Sequence, residues 1–200
     1  MSDEAVRLLV GLGNPGQEYS NTRHNAGFWW LDQVAEHNNI TLLFDQKWRG
    51  RVAKTMLSKQ PVWLFEPQTF MNTSGRAVAA LADFYKLKPA QILVAHDELD
   101  LAVGHIKLKY GGGHAGHNGV RNTIDSLGSG DFWRLRIGIG HPGERNKVTE
   151  FVLSAPNEAE RANIDNAIQQ TLTLIPLLLC GDFNQACQQL HHKTPLTSRP

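Results

Sequence analysis

A histidine and an aspartate, 73 positions apart in the sequence, are of the types that general-base chemistry requires. His24 follows a glycine-rich loop near a predicted helix start, where backbone N–H groups and the helix dipole favour a neutral, basic imidazole. Asp97 ends a buried strand in the segment VAHDELD and points opposite to His96 and Glu98 in extended chain. Such a carboxylate can hydrogen-bond a histidine nitrogen and fix its tautomer. Taken alone, a loop histidine also commonly has no function.

Three asparagines lie in segments where an amide can face a ligand. Asn14 lies in GLGNPG, whose letters match the dinucleotide fingerprint, but no helix opens at the last glycine and no strand-end acid follows about 20 residues on. A strand-end loop for another ligand is therefore favoured over a nucleotide site. Asn72, in FMNTSG, is predicted to be a helix N-cap, and capping alone would explain it. Asn118 follows GGGHAGH, whose glycines allow close approach of a chain or ligand.

The histidines, acids and cysteines do not form a metal-binding pattern. His114 and His117 are three residues apart, but zinc requires three or four converging ligands, and no cysteine or glutamate follows at a fitting spacing. The acids of VAHDELD alternate in direction, whereas Mg²⁺ requires converging carboxylates with phosphate and water. Cys180 and Cys187 lie near the C-terminus without such company. We therefore predict no metal and no cofactor.

Two alternating segments predict one basic face of a sheet. In HIKLKY, Lys107 and Lys109 point away from the apolar residues, and in WRLRIGIG, Arg134 and Arg136 are expected to be exposed. If the two strands are neighbours, the four cations share one face. A solvated sheet face is the alternative, but the nearby loop HPGERNK adds further cations and favours phosphate binding.

The elements that must position these residues alternate between strand and helix. Apolar runs or alternation predict strands near 6–11, 51–57, 61–65, 91–95, 105–110 and 133–140. Helical spacing occupies 28–36, 72–85, a segment after GGGHAGHNG that includes Val120 and Ile124 and ends near 128, 156–179 with a kink or end near Pro176, and 182–190. This order predicts an α/β fold in a single domain, residues 1–190, with a twisted mixed β-sheet flanked by helices on both faces. Residues 191–200 are predicted to be a polar tail.

Length and composition limit the class of protein. A chain of 200 residues and 22.3 kDa suits one domain. No stretch approaches the roughly 20 apolar residues of a membrane span, and the acidic start lacks the pattern of a signal peptide. We therefore expect a cytoplasmic protein with no membrane partner. The net charge of +1 argues against a protein that coats nucleic acid, although cations concentrate between residues 105 and 148.

Six segments together resemble the signature segments of bacterial-type peptidyl-tRNA hydrolases, in the same order and over nearly the whole chain. These are GLGNPG, TRHNAGF, PQTFMNTSG, VAHDELD, GGGHAGHNG and RLRIGIGHPG. Small departures, such as Ala115 where a glycine is usual, affect loop stiffness rather than chemistry. The resemblance implies hydrolysis of the ester between the peptide and the tRNA 3′ end, which recycles tRNA from prematurely dissociated peptidyl-tRNA.

The resemblance also implies a role for each polar residue named above. His24 would be the general base that activates water, and Asp97 would orient and polarise it. Asn14 would help to position the ester end of the substrate. Asn72 would hold the peptide and the reacting water, and Asn118 would hold the peptide backbone and that same water. Amides suit this work because they donate and accept hydrogen bonds without adding charge.

The remaining implied contacts surround this centre. The residues expected to line the substrate cleft are Tyr19, Phe70, Met71 and His117, and those expected to bind tRNA phosphates are Lys107, Lys109 and Arg136. The expected partner is the acceptor stem and 3′ end of peptidyl-tRNA, bound by a monomer. The alternatives left open are a tRNA-binding module without catalysis, a nucleotide-dependent enzyme that uses GLGNPG, and a metal-dependent hydrolase.

Overall fold

A seven-stranded mixed sheet forms the centre of the structure, a computed structural model that describes the backbone of residues 5–193 and the side chains of residues 5–190. The strands are β1 (Leu8–Gly11), β2 (Leu43–Asp45), β3 (Gly50–Leu57), β4 (Gln60–Pro67), β5 (Ile92–Glu98), β6 (Ile106–Tyr110) and β7 (Trp133–Gly138). The helices are α1 (Ala26–His37), α2 (Ser74–Phe84), α3 (Asn118–Leu127), α4 (Val148–Val152), α5 (Glu158–Leu172), α6 (Ile175–Cys180) and α7 (Phe183–Lys193). Single 3₁₀ turns at Arg23–Asn25 and Met71–Thr73 lead into α1 and α2.

The strand order places the ends of three strands beside one another. The order across the sheet is β2-β3-β4-β1-β5-β7-β6, with β4, β1, β5 and β7 parallel and the outer strands antiparallel to their neighbours. From β1 the chain passes to the edge strand β2, returns through β3 to β4 beside β1, and then crosses to the other side of β1 at β5. Ligands of open α/β sheets bind at such a reversal, outside the carboxyl ends of the strands. The loops that follow β1, β4 and β5 all meet there.

Helices cover both faces of the sheet, and the alternation of side chains along β1 shows the division. Leu9 packs in the core shared with α1 and the C-terminal helices, whereas Leu8 and Val10 pack in the core shared with α2 and α3. Trp30 anchors the first core, where its indole N–H donates to Thr171 Oγ1 at 2.9 Å. The predicted α/β class, mixed sheet and two-sided helical cover are confirmed.

The C-terminal third follows the predicted break near Pro176. Helix α5 ends at Leu172, and α6 begins at Ile175 with the proline in its first turn, where the missing N–H costs no hydrogen bond. Of the tail predicted at 191–200, the first three residues continue α7, and the rest lie outside the described residues. No helix in the described part of the chain has the length and apolar character of a bilayer-crossing segment.

Candidate active site

A cleft of about 480 Å³ opens at the carboxyl ends of β1, β4 and β5. Nine residues named from the sequence line it: Asn14, Tyr19, His24, Phe70, Met71, Asn72, Asp97, His117 and Asn118. They come from the loops that follow β1 and β4, from the end of β5 and from the start of α3, and the fold brings these segments together at one edge of the sheet. The fold thus brings together every predicted catalytic and cleft residue.

The imidazole of His24 is hydrogen-bonded to the carboxylate of Asp97 at the floor of the cleft. His24 Nδ1 lies 2.9 Å from Asp97 Oδ1 and 3.0 Å from Oδ2. The Asp97 side chain is 2% exposed and that of His24 is 12% exposed, so the carboxylate is sealed while the imidazole still reaches the cleft. Because an ionised carboxylate only accepts hydrogen bonds, Nδ1 carries a proton, and in the neutral ring Nε2 keeps its lone pair.

A second imidazole shares the same carboxylate. His117 Nε2 lies 2.8 Å from Asp97 Oδ1, and the ring of His117 lies 5.0 Å from that of His24. The backbone N–H of Val120 donates to His117 Nδ1, so His117 caps helix α3 with its ring. Asp97 therefore lies between two histidines contributed by different elements.

The pKa values of Asp97 and His24 are both shifted from their ordinary values. Burial favours the neutral carboxyl of Asp97, but its electrostatic and hydrogen-bonding interactions with His24 and His117 outweigh burial and hold the pKa of Asp97 well below its usual range. Burial lowers the pKa of His24, yet the charge and hydrogen bond of Asp97 together raise it above its ordinary value. The expectation that the helix start would favour the neutral imidazole is therefore wrong, because the carboxylate dominates.

Asn14 has its side-chain oxygen committed to the protein. Met71 N–H donates to Asn14 Oδ1 at 2.8 Å, which ties the loop after β1 to the loop after β4. Asn25 holds the backbone of Asn14 on both sides, accepting from its N–H at 2.9 Å and donating to its carbonyl at 3.0 Å. With the oxygen occupied by a donor, the two N–H groups of the Asn14 amide remain for the cleft.

The other two asparagines line the cleft from exposed positions. Asn118 Oδ1 accepts from Arg121 at 2.8 Å, which leaves its amide N–H groups available. Asn72 lies in the 3₁₀ turn before α2 and is not the N-cap of that helix, since Thr73 holds this position without a side-chain cap bond. The capping prediction for Asn72 is wrong because one extra 3₁₀ turn separates it from the helix.

Apolar side chains form the walls of the cleft, and helix α4 forms part of its rim. Tyr19 and Phe70 meet edge to face with ring centres 6.3 Å apart, and Phe70 is 58% exposed. Helix α4 forms the opposite rim. The buried guanidinium of Arg23, the neighbour of His24, fixes this rim by donating to carbonyl groups of 151, 154 and 155 and to Glu160 at 2.7 Å.

The basic residues lie beside the cleft, on β6 and β7. Lys107 is opposite Arg136 in the ladder and Lys109 is opposite Arg134, so the two strands are neighbours, which is the condition for one shared basic face. Arg136 donates to Glu98 Oε2 at 2.8 Å, and Glu98 borders both the cleft and a small cavity of about 30 Å³ that Lys109 and Arg136 line. The cations are therefore adjacent to the cleft rather than inside it.

Arg134 departs from the predicted exposed position. Its side chain is buried, and it donates to the carbonyl groups of Gly112 and Gly113 at 2.6 Å each. Alternation along β7 correctly assigns its direction, but the glycine-rich loop folds over it and uses the guanidinium to satisfy backbone carbonyls. Arg134 thus supports the loop that carries His117.

Three potential metal ligands do converge in the described residues, namely His24, Asp97 and His117. Their hydrogen bonds oppose such a use. A metal on His117 Nε2 would require the proton at Nδ1, where it would face the N–H of Val120, donor against donor. The geometry is that of a hydrogen-bonded chain.

Sequence reasoning missed residues that support the site from behind. Asn25 directly follows His24 in the motif TRHN, and its amide position beside the base was the available signal. Glu98, in VAHDELD, joins the cleft to the basic strands, and its alternation with Asp97 pointed to that opposite face. The part played by Arg23 and Arg134 has no local signal, because their partners are distant in the sequence or are backbone carbonyls.

Comparison with known proteins gives one consistent result. The family model described as peptidyl-tRNA hydrolase matches residues 8–198. A curated peptidyl-tRNA hydrolase of Coxiella burnetii strain RSA 493 is 55% identical over 186 residues, covering 93% of this chain and 97% of the relative. One from Variovorax paradoxus is 50% identical over 195 residues, covering 98% and 93%. The crystal structure of peptidyl-tRNA hydrolase from Acinetobacter baumannii at 1.00 Å resolution is similar with a TM-score of 0.91 and 44% identity, covering 95% of this chain and 97% of that chain.

Proposed function

The chain belongs to the peptidyl-tRNA hydrolase family, and from that premise we propose that it cleaves the ester between the peptide and the tRNA 3′ end with His24 as general base. The observation that carries the proposal is the hydrogen bond between His24 Nδ1 and the sealed carboxylate of Asp97 at the floor of the cleft. This bond directs the free Nε2 of His24 away from the carboxylate, so a water there can lose its proton to it.

The proposed reaction consumes one water molecule for each ester bond that is cleaved. His24 Nε2 takes a proton as the water oxygen bonds to the ester carbonyl carbon, which places negative charge on the carbonyl oxygen. The imidazolium, stabilised by Asp97, then returns the proton to the departing ribose oxygen as the ester bond breaks. The products are a peptide carboxylic acid and tRNA. An ester is an activated substrate, so a base and a positioned water, contributing about 10²- to 10⁴-fold, require no covalent intermediate.

Asn14 is the donor we assign to the developing oxyanion. Its oxygen already accepts from Met71 N–H, so its amide can present only N–H groups to the cleft. Preorganised donors of this kind stabilise the transition state most where water is excluded. Asn72 and Asn118 would hold the peptide and the reacting water from the exposed side, and Tyr19, Phe70 and Met71 would provide the apolar surface for the substrate.

The tRNA would be held by contacts to its phosphates, which do not depend on the base sequence. Lys107 and Lys109 are exposed on β6, and Arg136 keeps its terminal nitrogens beside them while its Nε donates to Glu98. Cations on a sheet face next to the cleft support binding of the acceptor stem with the 3′ end directed into the floor. We further propose that a monomer acts in the cytoplasm and thereby recycles tRNA from prematurely dissociated peptidyl-tRNA.

The test is hydrolysis of an N-acetylated aminoacyl-tRNA in the presence of EDTA. We expect release of the acetylated amino acid by the wild-type protein, and a fall in kcat of about 10²- to 10⁴-fold for His24→Ala. His37→Ala, which removes an exposed histidine at the end of α1, is the matched control and should keep full activity. Binding of the same tRNA, measured by filter retention, should be nearly equal for both variants.

Each alternative gives a different result in that assay. A tRNA-binding module would retain the tRNA without releasing product, and a metal-dependent hydrolase would lose activity in EDTA. Undiminished turnover by His24→Ala would show that the base is another group. A nucleotide-dependent enzyme would gain thermal stability on titration with NAD or ATP, whereas the proposed hydrolase should not.

A further inference from the structure

Helix α3 begins with an unusual cap, the imidazole of His117. Helix N-caps are commonly serine, threonine, asparagine or aspartate, whose side-chain oxygen accepts a free backbone N–H. Here, His117 Nδ1 accepts the N–H of Val120 at 3.2 Å. A backbone amide can only donate, so Nδ1 must be the unprotonated nitrogen of the ring. The cap therefore settles the tautomer of His117, and the proton of the neutral ring lies on Nε2.

The proton on His117 Nε2 is directed at the catalytic carboxylate. Nε2 lies 2.8 Å from Asp97 Oδ1, the same oxygen that His24 Nδ1 approaches at 2.9 Å. Asp97 thus accepts two ring N–H groups from two histidines. The hydrogen bonds all point the same way: Val120 N–H donates to His117, and His117 donates to Asp97. The donor and the acceptor of each bond are therefore fixed.

We infer that His117 is a positioning residue of the hydrolysis proposed above, which donates to Asp97 and thereby keeps His24 in the tautomer whose Nε2 is free for water. The inference rests on the proposed function of His24. The backbone N–H of Val120 contributes by donating to His117 Nδ1, which holds the ring with its Nε2 proton toward Asp97. His117 acts through Asp97 in this scheme, so it does not need to touch the reacting atoms.

A shared carboxylate also limits how strongly His24 holds its proton. An acceptor oxygen that already receives a hydrogen bond from His117 has less charge to offer to an imidazolium on His24. Without that donor, Asp97 would stabilise the charged form of His24 more strongly, and the base would remain protonated to a higher pH. The second histidine therefore moderates the effect of Asp97 while it fixes its orientation.

Among the charged and titratable groups around His24, Asp97 and its hydrogen bond to His117 have the strongest influence on the pKa of His24. From β5, Asp97 faces it directly, and Glu98 on the same strand is paired with Arg136. Loop residues His114 and Tyr19 also line the cleft, and the side of α4 that borders it contributes uncharged residues. His96, whose ring packs 4.8 Å from that of His117, is held neutral because burial lowers its pKa to about 3.

Two substitutions at position 117 separate the two hydrogen bonds. In His117→Asn, the amide oxygen stands near the position of Nδ1 and can accept from Val120, as asparagine does at many helix starts, but the donor to Asp97 is lost. In His117→Gln, the longer side chain can bring an amide N–H near the position of Nε2, but the cap is lost. The two variants are nearly matched in size and polarity.

The experiment compares kcat/KM between pH 5 and 9 and the Tm for both variants. We expect His117→Asn to keep its Tm within about 1–2 °C of the wild type, since a cap is retained, while the acid limb of its profile moves to higher pH and kcat/KM at pH 6 falls about tenfold. The fall reflects the smaller fraction of His24 that is deprotonated at pH 6 when the pKa of His24 is higher. We expect His117→Gln to keep the wild-type acid limb and to lose about 2–4 °C in Tm.

A wild-type acid limb in His117→Asn would overturn the inference, as would equal shifts in both variants. Ring ¹⁵N spectra of the wild-type protein offer a measurement that does not depend on either variant folding. They should show the His117 proton on Nε2, and a proton on Nδ1 would also overturn it. His24→Ala in the same assay keeps the two proposals apart, because its full activity would contradict the proposed function whatever His117 does.

Discussion

Among single side chains, the chemistry depends on which nitrogen or oxygen of each polar group is already occupied. Asp97 receives N–H groups from two rings, and Asn14 receives one from the backbone of Met71. These internal bonds leave a lone pair on His24 and donors on Asn14 for the cleft. The lone pair of His24 can accept a proton from water, and the N–H groups of Asn14 can donate to an oxyanion.

The carboxylate charge can be removed at nearly constant shape by Asp97→Asn. An asparagine amide can donate to His24 Nδ1 and so favour the wrong tautomer, and we expect kcat to fall about 10²- to 10⁴-fold. Burial would then lower the pKa of His24 without opposition from Asp97. A base with a lower pKa stays deprotonated in more acidic solution, so the acid limb of the residual activity should move to lower pH.

The measurement is kcat/KM from pH 5 to 9 with an N-acetylated aminoacyl-tRNA. Asp100→Asn is the matched control, because it removes an exposed carboxylate three residues further along the same segment. It should keep both the rate and the acid limb. An acid limb that moves to higher pH in Asp97→Asn would contradict the view that Asp97 raises the pKa of His24.

At the next level, the position of His24 depends on how closely α1 approaches the sheet. Gly27, at the first turn of α1, has no room for a side chain: an added Cβ would overlap the carbonyl oxygen of Ala95 on β5 and would lie 2.5 Å from backbone atoms of Leu12. A Cβ added at Gly11 on β1 would likewise overlap the carbonyl oxygen of Gly27. The two glycines let the helix start lie against the ends of β1 and β5, which brings the base to its carboxylate.

A methyl group at position 27 should therefore affect both stability and catalysis. We expect Gly27→Ala to lower the free energy of unfolding by about 1–3 kcal/mol, the usual cost of overpacking. We also expect kcat to fall, because α1 can make room only by moving His24 away from Asp97. Urea unfolding and the tRNA assay measure the two effects. Gly113→Ala, where an added Cβ meets nothing within 4 Å, should change the unfolding free energy by less than about 0.5 kcal/mol. Equal stability of both variants would contradict the packing argument.

Contacts within one element were predictable from the sequence, whereas contacts between distant elements were predictable only in kind. The strand ends follow from apolar runs and from the rule that ligands gather at strand ends, whereas the pairing of His24 with Asp97 was implied by the resemblance to peptidyl-tRNA hydrolases. The burial of Arg134 and the imidazole cap at His117 depend on the path of the glycine-rich loop. Local patterns contain no information on that path. The same limit explains the wrong expectation for His24, because local helix geometry was visible in the sequence and the strength of a distant carboxylate was not.

At the scale of the whole molecule, a nearly neutral chain places a small group of cations along one edge of the sheet. The net charge is +1, yet Lys107 and Lys109 project from the edge strand β6 beside Arg136 of β7. Long-range attraction to a polyanion is weak when the net charge is small, so affinity for tRNA should come from a few close phosphate contacts. This arrangement makes binding sensitive to salt and to the identity of individual lysines.

That reasoning predicts how kcat/KM depends on salt. Each phosphate contact releases counterions, so log(kcat/KM) should fall linearly with log[KCl], and Lys107→Ala should reduce the slope by about 0.7–0.9. Because the contact is equal in the ground and transition states, KM should rise while kcat changes little. Lys59→Ala makes the same change in net charge at the exposed turn between β3 and β4, on the far side of β1, and should leave the slope unaltered. Equal slopes for the two variants would mean that net charge, rather than contact at the β6 edge, governs the attraction of tRNA to this protein.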